Sequence, residues 1–283
     1  MAIETPNRLL GTAARIAELF EGKLRVVDQF GPEGAHLYDY ISRGSVQEID
    51  EILQAIDGRQ GPLLELCCGN GRTTLPMLEK GYEIVGLDLS PHMLDQLRQH
   101  LEEPKWQPLA GNLTLVEGDM SSFDLGRQFN LIVLGMSTVW VLDAAGRASL
   151  FRRVKEHLAE GGRFLVTLFD FPWLAEDPSP YESTTVFIAE DQSGAPLLCT
   201  LYDRLEPADG IRGTAILAHR VAGGAVTDSS LYVAWTNLIS IDGLEKEIEA
   251  SGLRVLARHP VAGNQLVRHN KDGRRKFLVE ATR

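Results

Sequence analysis

Leu63-Leu64-Glu65-Leu66-Cys67-Cys68-Gly69-Asn70-Gly71-Arg72-Thr73 is the stretch whose reading decides the fold. Leu63–Leu66 reads as a short strand that runs into a glycine turn, and the turn opens a helix over Thr73–Lys80. Gly69 and Gly71 permit positive φ and let a ligand approach the backbone. The helix behind them presents free N–H groups. The next strand, Glu83–Leu87, ends at Asp88, the place from which an acid bonds ribose hydroxyls in a βαβ nucleotide site. The dinucleotide fingerprint Gly-x-Gly-x-x-Gly is incomplete, because Thr74 stands at its third glycine position.

Working outward, short apolar runs at Leu113–Glu117, Leu131–Gly135 and Arg163–Leu168 alternate with helical stretches at Pro91–Leu101 and Ala144–Leu158. Alternating β and α means parallel strands with helical crossovers, hence a doubly wound α/β sheet. The crossover Asp119–Phe129 is short and rich in Gly, Asp and Ser, which argues against a helix there. Upstream, Thr5–Phe20 has helical apolar spacing with Thr5-Pro6 at its start. A second helix is expected near Val46–Ile56, with Ser45 and Glu48 as a capping box. Downstream, prolines 172, 178 and 180 mark a linker. Four β-rich stretches follow (Thr184–Ala189, Leu197–Leu205, Arg212–Val221 and Val226–Asn237), separated by the hairpin signals Ser193-Gly194, Asp209-Gly210 and Gly223-Gly224. A helix at Asp242–Ser251 and strands at Arg254–His259 and Lys276–Ala281 complete the pattern. The expected organisation is an N-terminal helical lid (1–62), a Rossmann-like domain with a mostly parallel seven-stranded sheet (63–172 and 238–283), and an inserted small antiparallel β subdomain (173–237) that covers the substrate and leaves a homodimer open.

Composition narrows the partners. The chain has 283 residues and a formal net charge of −11, with 44% hydrophobic and 24% charged residues. Those proportions are ordinary for a globular protein and exclude disorder as the default. Phosphate binding needs clustered Lys and Arg, so the acidic balance argues against a nucleic-acid partner. The dense basic group Lys271, Arg274, Arg275 and Lys276 reads as a solvated loop. No signal-peptide pattern opens the chain, and no apolar run approaches the ~20 residues of a membrane span. Cys67, Cys68 and Cys199 offer neither a disulfide framework nor metal-ligand spacing, so a reduced, cytoplasmic protein without a metal is expected.

The order of motifs resembles the class I S-adenosylmethionine-dependent methyltransferases. Glu65-Leu66-Cys67-Cys68-Gly69-Asn70-Gly71 is similar to their first motif and Gly86-Leu87-Asp88-Leu89-Ser90-Pro91-His92-Met93-Leu94 to the second. Val116-Glu117-Gly118-Asp119-Met120 resembles the third, Phe129–Val133 the fourth strand, and Leu158-Ala159-Glu160-Gly161-Gly162-Arg163-Phe164 the turn before the fifth. Cys67, Asn130 and Ala159-Glu160 depart from the usual residues, and none of them removes a group that bonds the cofactor. More narrowly, Leu37-Tyr38-Asp39, Thr74-Leu75-Pro76, the β insertion and Arg274–Glu280 resemble the glycopeptide-antibiotic and peptide-amine N-methyltransferases.

The resemblance implies S-adenosylmethionine as cofactor and a small-molecule or peptide amine as acceptor. It places Gly69, Asn70 and Gly71 along the methionyl part and Asp88 at the ribose, with Glu65 and Cys67 among the cofactor-binding residues. Leu89 and Met93 would border the adenine, Gly118, Asp119 and Met120 would hold its edge, and Leu134-Gly135-Met136-Ser137-Thr138 would lie under the methyl. Tyr38 is the candidate lid over the cofactor, and Tyr38, His36, Ser137 and His219 are the candidate catalytic residues. Tyr40, Trp140, Trp173 and Trp235 are candidates to wall the acceptor, with Glu182 and Asp143 to attract an ammonium. His92, His100 and His157 read as surface or packing residues. An α-amino group titrates near ~8, so an amine acceptor needs no strong base, whereas a phenol near ~10 gains more from one. O- or C-methylation, a nicotinamide-dependent oxidoreductase and a non-catalytic cofactor-binding module stay open as alternatives.

Overall fold

The computed structural model describes residues 9–42, 46, 48–261 and 275–283. In chain order its elements begin with α1 (Gly11–Leu19), β1 (Arg25–Asp28), α2 (Gly34–Ser42), α3 (Ile49–Ile56), β2 (Leu63–Leu66), α4 (Thr74–Glu79), β3 (Ile84–Asp88), α5 (Pro91–Leu101), β4 (Leu113–Glu117) and β5 (Phe129–Leu134). They continue with α6 (Ala144–His157), β6 (Leu158–Asp170), β7 (Tyr181–Glu190), β8 (Pro196–Glu206), β9 (Ile211–Ala222), β10 (Ala225–Asn237), α7 (Ile241–Ala250), β11 (Arg254–Pro260) and β12 (Arg275–Thr282). The chain divides into two compact units, residues 1–44 with 177–238, and residues 45–176 with 239–283.

The second unit is built on a seven-stranded sheet in the order β11-β12-β6-β5-β2-β3-β4. β2, β3, β4, β5 and β6 run parallel, while β12 is antiparallel to β6 and β11 to β12. Strands covered on both faces read as unbroken apolar runs, and β2 and β3 are buried at every position. Ile52, Ile56, Leu63, Met77, Leu78, Ile84, Leu131 and Leu165 join in one core cluster. Ser90, Asp143 and Ser240 each cap the helix they precede by accepting from a first-turn N–H, and Pro91 occupies the first turn of α5. Asp143, a candidate for attracting an ammonium, is therefore engaged at the N-terminus of α6, where its Oδ1 accepts from Gly146 N–H at 2.8 Å. The segment from Asp119 to Phe129 forms no helix before β5.

The other unit carries a five-stranded sheet in the order β1-β10-β9-β8-β7. β7 to β10 form an antiparallel meander, and the short β1 adds parallel to β10. Gly223 and Gly224, at φ 58° and 78°, make the tight β9–β10 turn. Alternation along β9 explains how both sheet faces are covered. Leu217 packs with Leu231, Val233 and Ala13 of α1, whereas Ile216 and Ala218 pack with Leu37 of α2. α1 and α2 thus cover the two faces of the antiparallel sheet, while α3 belongs with the parallel one. This differs from the expected grouping of residues 1–62 as a single helical segment. The reason is that α1 and α2 find their apolar partners on the insertion's strands. Thr5-Pro6 and Ser45, expected as helix caps, lie outside the described residues.

Lys276 departs from the solvated-loop reading. It lies in β12, is buried, and pairs with the Glu48 carboxylate. Lys271 and Arg274 lie outside the described residues. Among the described residues no helix is long and apolar enough to cross a membrane, and no group of three or more His, Cys, Asp or Glu is placed to hold a metal. The three cysteines are free thiols.

Candidate functional site

In an open parallel sheet, ligands bind beyond the carboxyl ends of the strands where strand order reverses. Here the chain runs from β2 outward through β3 to β4, then returns to the other side of β2 with β5 and β6. The reversal lies between β2 and β5. The segments that leave these two strands are Cys67–Gly71 and Gly135–Ser137, so the sheet brings the glycine turn and the β5 end to one place. Asp88 and Asp119 follow at the carboxyl ends of β3 and β4.

Asp88 is held by backbone donors. Gly69 N–H donates to its Oδ2 at 2.8 Å and Ser90 N–H to its Oδ1 at 2.9 Å. Its carboxylate is fixed against the glycine turn in a nearly buried position, 8% exposed. Burial raises its pKa above its ordinary value, and the Ser90, Gly69 and Leu89 N–H groups oppose that rise. Leu89 beside it is 55% exposed, an apolar side chain left in solvent at the strand end. Asp119 accepts from Ser121 N–H and from the Ser121 hydroxyl, both at 2.7 Å. Met120 is buried, and the Cys67 thiol lies 3.3 Å from its sulfur.

The two turn glycines serve different ends. A side chain at Gly71 would overlap Leu97 of α5, so this glycine is required by helix packing. A side chain at Gly69 would meet the Met93 methyl at 3.3 Å and then Asp88 Oδ2 at 4.0 Å. Asn70 is buried within the turn, and Gly118 precedes Asp119 with its backbone half exposed. Glu65 is fully buried in β2 and accepts from the Thr74 hydroxyl at 2.5 Å. Burial pushes its carboxyl up to about 8. Burial likewise raises the Cys67 and Cys68 thiols, which argues against a thiolate nucleophile.

Strain marks the same place. Five non-glycine residues among those described have positive φ, and four of them, Glu48, Cys67, Met136 and Ser137, are in this unit. Sparsely populated backbone conformations cluster at functional sites. Leu134 ends β5 in the buried core, and Gly135 follows it half buried. The Ser137 hydroxyl accepts from Phe169 N–H at 2.8 Å and is buried. It fixes the β5 end to β6.

The residues expected to meet the acceptor have the following partners. Trp140 is a core residue, stacked on Phe171 with centroids 5.8 Å apart and donating from Nε1 to Ile239 C=O at 3.3 Å. It walls no pocket. Trp173 packs edge-on against Phe171 at 6.2 Å. Glu182 accepts from Thr12 N–H at 3.0 Å and from the Thr12 hydroxyl, so its carboxylate serves the start of α1. Trp235 packs on Gly213, where any side chain would overlap its ring. His219 faces Ser229 across the β9–β10 pair, Nδ1 to hydroxyl 2.7 Å. His36, Tyr38 and Tyr40 lie on α2 in the five-stranded unit, with Tyr38 edge-on to Phe30 and Tyr40 exposed.

Sequence reasoning missed Arg72 and the site role of Glu48 and Lys276. The Glu48 carboxylate, fully buried, accepts from Arg72 at 2.5 Å and from Met136 N–H at 2.8 Å, and pairs with Lys276. The signal available was Arg72 itself, a charged residue inside a glycine turn.

Residues 63–162 match the family described as a methyltransferase domain. The chain is similar to the dTDP-3-amino-3,4,6-trideoxy-alpha-D-glucopyranose N,N-dimethyltransferase of Streptomyces venezuelae, at 28% identity over 54% of this chain and 66% of that protein. It is also similar to the cypemycin N-terminal methyltransferase of a Streptomyces species, at 27% identity over 66% of this chain and 70% of that protein. Among solved structures, the glycopeptide N-methyltransferase MtfA complexed with S-adenosyl-L-methionine superposes with a TM-score of 0.57 at 27% identity, over 90% of this chain and 96% of that one. The chain spans 66%, 63% and 56% of the lengths of three curated relatives that it matches.

Proposed function

We propose that the chain, whose residues 63–162 match a methyltransferase domain, is a class I S-adenosylmethionine-dependent N-methyltransferase acting on an amine of a small-molecule or peptide natural product. When bound, S-adenosylmethionine supplies a methyl group activated by a sulfonium. The observation that carries the reading is the Asp88 carboxylate, fixed by Gly69 and Ser90 N–H groups beside the strand-order reversal. A carboxylate so placed accepts from two vicinal hydroxyls, which suits a ribose. Exposed Leu89 offers an apolar face for an adenine, and Asp119, oriented by Ser121, lies at its edge. Gly69 leaves room for the methionyl tail, and the Gly135–Ser137 segment forms the floor at the reacting end.

The N-selectivity is supported by chemistry and by likeness. Ser137 is committed to Phe169 and the site thiols are pushed away from ionisation, so neither supplies a base. An α-amino acceptor, partly neutral near pH 7, needs none. Orientation and water exclusion then carry the rate. The relatives compared above methylate an amino sugar, a peptide amino terminus and a glycopeptide nitrogen according to their names.

Isothermal calorimetry with S-adenosylhomocysteine tests the site. The wild type is expected to bind, and Asp88→Ala to lose about 100-fold in affinity, the cost of two hydroxyl bonds to a charged group. Unchanged binding in Asp88→Ala would sink the assignment. Mass spectrometry with fragmentation of the methylated product separates N- from O- and C-methylation. A product methylated on oxygen or carbon would overturn the amine reading while leaving the cofactor site intact.

A further inference from the structure

Two αL residues, Glu48 and Met136, meet through one buried carboxylate, and a third, Ser137, follows directly in the chain. Glu48, Met136 and Ser137 have φ of 59°, 56° and 57°, and none is glycine. An αL conformation costs an ordinary residue roughly 1–2 kcal/mol, so the surroundings must hold each one there. Ser137 is held by its hydroxyl on Phe169 N–H. Met136 is held by its own N–H on Glu48 Oε1. That same oxygen accepts from Arg72, which follows Gly71 in the glycine turn. The other carboxylate oxygen faces the Lys276 ammonium on β12. A side chain at Gly135 would touch Glu48 Oε1 at 3.2 Å, which places the carboxylate directly against the β5 end.

A buried ion pair seldom adds net stability over apolar residues of similar volume, because desolvation offsets the attraction. Stability therefore gives little reason for this arrangement. Its geometry does: one carboxylate ties the turn after β2 to the segment after β5 across the strand-order reversal. We propose that Glu48 is a positioning residue of the methyl-transfer site. It fixes the Met136–Ser137 floor relative to the glycine turn through Arg72, while Lys276 balances its charge. The inference rests on the functional reading above, since only that reading makes the distance between turn and floor matter for a bound cofactor.

The test joins amide hydrogen exchange at Met136 with calorimetry of S-adenosylhomocysteine, below the melting temperature of each variant. Glu48→Ala with Lys276→Met removes the acceptor without stranding the ammonium. It is expected to speed Met136 exchange and weaken binding, each by about tenfold or more. Glu48→Gln with Lys276→Met restores an acceptor of the same length and is expected to bring both within about threefold of the wild type. Should the alanine pair fail to fold, Glu48→Asp decides. It keeps the charge but is one methylene short of Met136, and exchange faster by about threefold or more is expected. Wild-type exchange and affinity in the variants, with only a lowered Tm, would assign Glu48 a merely structural role and overturn the proposal. A wild type that binds no S-adenosylhomocysteine overturns the functional reading together with this inference. Binding that is normal in the wild type and unaltered in the variants overturns this inference alone.

Discussion

Glu65 stands in a strand whose four residues are all buried, and its only described side-chain bond is from the Thr74 hydroxyl. Desolvation dominates there and lifts the carboxyl to about 8, whereas an unfolded glutamate titrates near ~4.3. The folded protein therefore holds a proton that the unfolded chain releases between those values. By linkage, the stability tied to Glu65 is full below ~4.3, declines as pH rises, and is lost above about 8. Glu65→Gln removes the titration but keeps the acceptor for Thr74. Chemical denaturation at pH 5 and pH 8 is expected to show a drop in wild-type stability that shrinks in the variant, and equal drops would refute the assignment. Glu65 was legible in the sequence as the acid opening a glycine-turn motif. Glu48 was not. Next to Ser45 it reads as a capping-box residue, and its actual partners come from the glycine turn, the β5 end and β12. No local pattern encodes a register that brings four distant segments together.

At the scale of elements, the alternation of apolar runs and amphipathic stretches located every strand and helix of the parallel sheet, in several cases to the residue, as for Leu113–Glu117 and Pro91–Leu101. Buried strands and capped helices announce themselves because burial and capping each demand particular residues locally. β1 escaped notice because Arg25–Asp28 is mostly exposed and charged at both ends, and its strand character comes from pairing with β10. Helix-to-helix contacts were equally silent. Arg147 of α6 is buried and donates to both carboxylate oxygens of Glu247 on α7, at 2.6 and 2.8 Å, and to Leu142 C=O at 2.7 Å. Its planar fork meets the Glu247 carboxylate in two bonds and leaves a third donor for Leu142 C=O, a geometry that the compact ammonium of a lysine does not reproduce. Arg147→Ala strands the partly buried Glu247 carboxylate and is expected to cost about 3 kcal/mol, read as a lower denaturation midpoint at unchanged m. Arg147→Met with Glu247→Leu is expected to recover most of that loss. If both variants were equally unstable, the bulk of the stabilisation would reside in packing of the arginine stem instead of the ion pair.

At the scale of the whole molecule, the chain has two compact units, and the described residues form a core cluster around β2, β3 and β5 in one and clusters on the two faces of the antiparallel sheet in the other. The −11 net charge is spread over both units and says more about which partners are excluded than about either site. Two compact units allow a definite thermodynamic test. A ligand stabilises only the cooperative body whose folding its site requires, by RT ln(1 + [L]/Kd). The residues assigned to the cofactor, Gly69, Asp88, Asp119 and Gly135, all belong to the parallel-sheet unit. With S-adenosylhomocysteine at about 100 times its Kd, the slowest amides of β2, β3 and β5 are expected to exchange about 100-fold more slowly, as a gain of about 2.7 kcal/mol requires. The slowest amides of β8, β9 and β10 are expected to exchange at their ligand-free rates. Equal slowing in both sets would mean that the units unfold as one body, so that each core depends on the other. Slowing confined to β8–β10 would place the ligand on the antiparallel sheet and displace the site from the carboxyl ends of the parallel strands.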